Sequence, residues 1–251
     1  LSLHDALPIC QPPRNEGGSA ADQGARLAGV DWLASDWVEH GWSFKHLHRR
    51  IVTSAAYRRS SSLRGAEAQM ARDPDNRSWW RRVPIRLEAQ VVRDSLWALA
   101  GELDTTPGGP PIPPDAQDGS RRRSLYFLHS NNERNLFLTT FDDALVKECY
   151  RRETSIVPQQ ALALLNSRVV HEAVPRVTAV LAARVGDADE AAFVREAFRC
   201  VVGFEPGDAE MQAALRSLSV WAAQSPPPSA RRVRENLVWA LINHADFVTL
   251  R

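Results

Sequence analysis

Apolar residues recur at helical spacing along most of the chain. Between 28 and 40, Trp32, Leu33 and Trp37 fall on one stripe, and Gly41 ends the pattern. Ser43 is suited to cap a second helix, 44–57, in which Phe44, Leu47, Ile51 and Ala55 recur. A polar, Ser-rich stretch with Asp-Pro punctuation, 58–78, reads as a loop. Pro84 then opens a strong pattern over 85–101. Ile85, Ala89, Val92, Leu96 and Leu99 define a face to be buried, with Gly101 at the C-terminal cap. Arg86, Gln90 and Arg93 share another face of the same helix.

The middle of the chain loses this period. Residues 104–120 are rich in Pro, Gly and Asp, a long connection of the kind that is functional or unstructured. The most strand-like runs are 123–129 and 135–141, which either pair as a hairpin or lie as extended segments on helices. From Pro158 the helical period returns. It predicts helices over 158–165, 168–184 (kinked or restarted near Pro175), 190–202 capped by Asp187 or Asp189, 208–223 capped by Asp208, and 230–243. The expected fold is a mainly α domain of about seven helices, with a short extended or β-hairpin element near 123–141. One domain over 26–251 is expected, with a subdivision near 104–120 and a helical C-terminal part from 156 to 251.

The first 25 residues fit no such pattern. Residues 1–9 match nothing around them and read as a translated adapter remnant, set aside from fold reasoning. Residues 11–25 are polar and Gly/Pro-containing, and are expected to lack structure. On this reading the ordered chain starts near Arg26 and an upstream part of the natural protein is missing.

Composition is ordinary for a globular protein and long enough to enclose a core, with 44% hydrophobic and 24% charged residues in 251. The net charge of +1 gives no bulk attraction to nucleic acid or membrane. Its distribution is uneven: 45–99 carries a local net of +7, and 186–251 a net of −2. A solvated helical face or an acidic or phosphate-bearing partner both fit that segment. The three cysteines, Cys10, Cys149 and Cys200, form no CxxC, which excludes zinc-ribbon and haem-attachment spacings. No apolar run is long enough to span a membrane.

Several short motifs follow one another in a fixed order. Gly41-Trp42-Ser43-Phe44-Lys45-His46-Leu47-His48 leads to Ile51-Val52-Thr53-Ser54-Ala55-Ala56-Tyr57-Arg58. Asp73-Pro74-Asp75-Asn76-Arg77 precedes Arg86-Leu87-Glu88-Ala89 and Arg93-Asp94. Arg122-Arg123-Ser124-Leu125-Tyr126 precedes Arg134-Asn135, and Arg151-Arg152 leads to Pro158-Gln159-Gln160-Ala161-Leu162 and Leu164-Leu165-Asn166. In these motifs, from about residue 30 onward, the chain resembles the C-terminal domain of large cell-envelope proteins of Planctomycetes and related bacteria. That family is domain of unknown function 1553, the planctomycete cytochrome-C-associated C-terminal domain. The chain departs from it in two places. The aromatic and His-rich segment before the first helix is absent, and Ile85 stands where a further Arg is common. The resemblance implies an extracytoplasmic location, periplasmic or in the cell envelope. It implies a c-type haem only on another domain of a parent protein, with no cofactor in this fragment.

The candidate ligand-binding cluster is Asn131, Glu133, Arg134, Asn135, Arg151, Arg152, Glu153, Gln159, Gln160 and Asn166. Guanidinium forks suit carboxylate, sulfate or phosphate, and amides suit sugar hydroxyls. A helix opening at Pro158 adds free N–H groups. The same residues equally suit a buried polar network that pins an irregular segment to helices. Arg86, Glu88, Arg93, Trp79 and Trp80 are secondary candidates; the two Trp either stack on a ligand or fill a core. Glu133, Asp142, Asp143, Glu148 and Glu153 are near enough in sequence to consider acid–base work, although pairing with Arg is the simpler use. His46 and His48 lie about 200° apart on a helix and cannot share an ion, and no metal site is expected.

The function expected is a non-catalytic interaction or scaffold domain of a large extracytoplasmic protein, contacting carbohydrate or an envelope partner. The alternative is a hydrolase-like domain acting on anionic polysaccharide. Nucleic-acid binding through 45–99 is a weaker third reading, requiring steep salt dependence.

Overall fold

Pro84 and Ile85 mark a division between two compact units in the computed structural model, which describes residues 20–63, 65–146, 155–186 and 189–250, with side chains from residue 28. The 104–120 connection lies inside the second unit.

The first unit holds α1 (Ala20–Glu39), α2 (Phe44–Thr53) and α3 (Glu67–Arg72). Helix α1 starts inside the stretch expected to lack structure, at Ala20-Ala21, where two strong helix formers begin the run. The chain turns sharply after it. Gly41 and Trp42 both adopt left-handed backbone, at φ 66° and 61°, and the Trp42 N–H donates to the Trp37 carbonyl at 2.9 Å. Ser43 then caps α2, accepting the His46 N–H. Trp37 packs against Trp42 and Phe44, each with ring centroids 4.9 Å away. The packing is shallow: Trp32, Trp42 and Phe44 are each more than half exposed. Among the described side chains of this unit, the buried ones are polar, Asp36 and Asn76.

The second unit is built on apolar burial. Helices α4 (Ala89–Leu99), α8 (Arg168–Val185), α9 (Glu190–Val201), α10 (Asp208–Ala222) and α11 (Ala230–Ile242) pack around one core. Val92, Leu96, Trp97, Val170, Val177, Phe193, Val194, Val238 and Ile242 are fully enclosed there. Each aliphatic or Phe side chain so buried contributes about 1.5–3 kcal/mol. Asp189, Ser229 and the Glu210 carboxylate satisfy the N-terminal turns of α9, α11 and α10. Pro175 neither breaks nor restarts α8, which runs unbroken through it. Its two halves bury Val169, Val170, Ala173, Val174, Val177 and Leu181, and that packing outweighs the one missing helical hydrogen bond.

The fold is mainly helical, as the period predicts, with one two-stranded antiparallel sheet among the described residues. The sheet is not near 123–141. It joins β1 (Ile85–Arg86) to β2 (Thr249–Leu250), continued by the Leu87 N–H on the Val248 carbonyl at 2.9 Å. Helix α4 therefore starts at Ala89, and Ile85 is more than half exposed rather than core. Residues 124–126 form a 3-10 turn, and 136–140 are α6 (Leu136–Thr140), capped by the Asn135 side chain. A capping Asn before five residues overrides the strand preference of the apolar run. Helices α3, α5 (Pro114–Gln117) and α6, each six residues or fewer, are additions to the expected set; α7 (Pro158–Asn166) was expected.

Candidate functional site

Helix α4 has two working faces. Ala89, Val92, Arg93, Leu96 and Trp97 face the core. Gln90, Val91, Asp94, Ser95 and Ala98 form one wall of a cavity of about 560 Å³, completed by residues from 123–129 and 134–144. Leu103, Leu125, Leu128 and Leu138 give it an apolar lining, and Glu88, Arg123, His129, Arg134, Asn135 and Asp143 a polar one.

Arg93 fixes this wall from behind. Its side chain is 1% exposed, and it donates to the carbonyls of Gln117, Ser120 and Arg122 and to Ser124 Oγ. The guanidinium carbon lies 4.5 Å from the Phe127 ring centre. Burial pushes its pKa down to about 10, so the group is still charged at neutral pH. The neighbouring Asp94 accepts the Ser124 N–H at 2.9 Å and the Ser124 hydroxyl at 2.6 Å. Gln117, 1% exposed, donates to the Ile112 and Leu128 carbonyls. These bonds hold an irregular segment, 104–129, against a helix.

Asp143, which lines the cavity, and its neighbour Asp142, which does not, are similarly engaged. Asp143 accepts the Gln90 amide and the Ala144 N–H, with His129 Nδ1 3.4 Å from its other oxygen. Asp142 accepts the Ser155 N–H and hydroxyl, both at 2.7 Å, and the Gln160 amide. Gln160 in turn accepts from Arg86. Two guanidiniums differ. The Arg123 and Arg134 side chains are exposed at the cavity and form no hydrogen bond or ion pair with a described residue. Of the run Arg121-Arg122-Arg123, the first lies over Trp97 and pairs with Glu102 and Glu172, and the second lies over Tyr126 and donates to the carbonyls of Thr106, Gly108 and Pro110. Only the third points into open space at the site.

The structure brings together part of the predicted cluster. Arg134, Asn135 and Glu88 line the cavity. Gln160 and Arg86 belong to the Asp142 network, and Arg93 lies behind the wall. Asn131, Glu133, Gln159 and Asn166 are exposed and do not line the cavity. Arg151, Arg152, Glu153, Glu148 and Cys149 lie outside the described residues. Trp79 and Trp80 sit in the first unit, where Trp80 Nε1 donates to the Asp73 carbonyl and Arg81 lies over its ring. Asp94, Gln117, Arg123, Ser124 and His129 were not predicted as site residues. The signal for three of them was the pair of motifs Arg93-Asp94 and Arg123-Ser124, which the fold joins through Asp94 and Ser124.

No described helix is long and apolar enough to cross a membrane. Cys200 is a free thiol donating to Glu196, its pKa raised by burial and then by that carboxylate. No curated protein and no solved structure matches the chain. A family model does, over residues 9–240: the chain belongs to the PSD1 family, proteins of unknown function (DUF1553).

Proposed function

We propose that the second unit is a non-catalytic binding domain of a larger extracytoplasmic bacterial protein, whose cavity takes a sugar bearing sulfate or carboxylate. The observation that carries this reading is an asymmetry of pairing. Asp94 and Asp143 are held by donors of the fold itself, whereas Arg123 and Arg134 are left to meet an anion. Exposed Leu125 and Leu128 supply an apolar patch for the C–H face of a sugar ring, and Asn135 an amide beside it.

The test is an array of neutral and sulfated glycans probed with wild type, Arg123→Ala and Arg134→Ala. Sulfated glycans bind the wild type, and each variant loses about tenfold or more in affinity. Equal signals from all three proteins would end the proposal. The hydrolase reading rests on one observation, the His129–Asp143 pair at 3.4 Å. It requires Asp143→Asn to abolish release of reducing ends from a sulfated polysaccharide. The binding reading requires that no such release occurs with the wild type.

A further inference from the structure

The first unit carries a second constellation, remote in sequence from the cavity. Asp36 lies in the last turn of α1 and His40 just past its end, where the His40 N–H donates to the Asp36 carbonyl at 3.1 Å, and the Gly41–Trp42 turn brings His46, in the first turn of α2, beside them. One donor atom from each of the three lies within 4.8 Å of the other two. The two imidazole rings are stacked, with centroids 3.8 Å apart and planes 10° apart, so their in-plane lone pairs meet at one ion only once the half-exposed His40 ring turns out of the stack. We propose that Asp36, His40 and His46 form a site for a divalent transition-metal ion of the zinc type.

The proton on His40 favours it. His40 Nδ1 is 2.7 Å from the Asp36 carbonyl, which can only accept, so Nδ1 carries the hydrogen and a neutral ring leaves its lone pair on Nε2. Nδ1 is also the His40 nitrogen beside the carboxylate, 3.6 Å from Asp36 Oδ1, so the turn of the ring has to bring Nε2 round to the ion. His46 Nε2 is 2.9 Å from Asp36 Oδ2, so it too holds its proton against an acceptor. For an ion to take Nε2, the His46 hydrogen must sit on Nδ1 instead, and Nε2 and the Asp36 carboxylate would then be the two groups that hold it. Bonds of about 2.0–2.2 Å to each donor require the three to draw closer. His40, with about half its side chain exposed, supplies that movement.

Two nitrogens and one oxygen suit zinc and its neighbours, not calcium or magnesium, which take oxygen ligands. Three protein ligands leave a position for water. The surroundings also fit. Asp36 is buried in a unit whose described apolar side chains are all at least partly exposed. Small units without an apolar core commonly rely on a metal or a cross-link. Arg50 opposes the ion: its Nη2 is 3.6 Å from Asp36 Oδ1, the oxygen turned away from His46. It occupies one oxygen and leaves the other.

The test is calorimetric titration of the full chain, stripped with a chelator, using Zn²⁺ alone and then Mg²⁺ alone at neutral pH. One Zn²⁺ binds per chain, and Mg²⁺ gives no heat. His40→Gln and His46→Gln each weaken binding by about 10–100-fold. Arg50→Gln tightens it, which a purely structural role for the cluster does not predict. His40 is the primary variant, because loss of the buried Asp36 carboxylate also disturbs the turn. Far-ultraviolet circular dichroism checks that each variant is folded. Zinc binding unchanged in the folded His40→Gln/His46→Gln double variant, or no zinc binding by the wild type, overturns the proposal.

Discussion

The two units reach order by opposite means. In the first, the buried ones among the described side chains are Asp36 and Asn76, and both work by hydrogen bonds. In the second, burial is overwhelmingly apolar, and its few buried charges, such as Arg93 and Arg234, lie against aromatic rings and bond to the chain around them. The difference separates two kinds of sensitivity. An apolar core loses stability in proportion to the volume removed. A polar anchor fails when one donor or acceptor is lost, whatever the volume.

The largest expected effect is in the apolar core. Phe193, fully enclosed under Arg234, should cost about 3–5 kcal/mol on replacement by Ala, read by urea denaturation of the second unit. Arg93→Met comes next, at about 3 kcal/mol, because it strands the carbonyls of Gln117, Ser120 and Arg122 at similar side-chain volume. Arg93→Lys should fail to restore it, since a single ammonium cannot reach all of those acceptors. If Met were tolerated, the polar clamp on 104–129 would be dispensable.

The first unit sharpens the contrast. Asn76 has φ 55° and exchanges two hydrogen bonds with the Arg81 backbone, at 2.9 and 3.1 Å. Asn76→Ala should cost about 2 kcal/mol, with Asn76→Gly recovering the backbone part alone. Hydrogen exchange across 73–81 measures it, and protection unchanged in the Ala variant would refute the polar-anchor account. The Asp73 carboxyl belongs to the same turn. The N–H groups of Ser78 and Arg77 hold it below the usual carboxylate range, against burial.

Smaller still is a pH effect in the second unit. The Cys200 thiol and Arg184 hold the Glu196 carboxyl below its usual range, although burial works the other way. A depressed carboxyl stabilises the fold above its unfolded value, near pH 4.3, and that contribution is lost as pH falls through the folded value. Glu196→Gln should therefore cost about 1 kcal/mol at neutral pH, since its Arg partners are more than half exposed. The gap to wild type should close in acid, as thermal melts at several pH values would record. Arg123→Ala should change stability by less than about 0.5 kcal/mol while altering ligand binding. A larger loss of stability would mean that Arg123 belongs to the scaffold.

Much of the helical part was legible in the chain. Helices α8 to α11 follow from period, from the Asp189 cap of α9 and from the Pro and Gly residues near their ends, all of them local signals, although Gly207 rather than Asp208 caps α10. The stretch 123–141 was not. Its apolar run suits a strand, but Asn135 caps a helix there and Asp94 claims the Ser124 N–H and hydroxyl. The Asn135 cap is a local choice, but the Ser124 contact depends on a residue thirty positions away. The proposed Asp36–His40–His46 set escapes the sequence for a related reason. His46 and His48 diverge along one helix, whereas the neighbours of His46 lie across a turn, at Asp36 and His40.

The sequence by itself determined the family, the helical class and most helix limits, because period and capping act within a few residues. Which arginines are spent on carbonyls and rings, and which face a cavity, was decided by tertiary structure. In the run 121–123 the three side chains are chemically identical, and only the neighbours brought by folding, Trp97, Tyr126 and open space, give them different work.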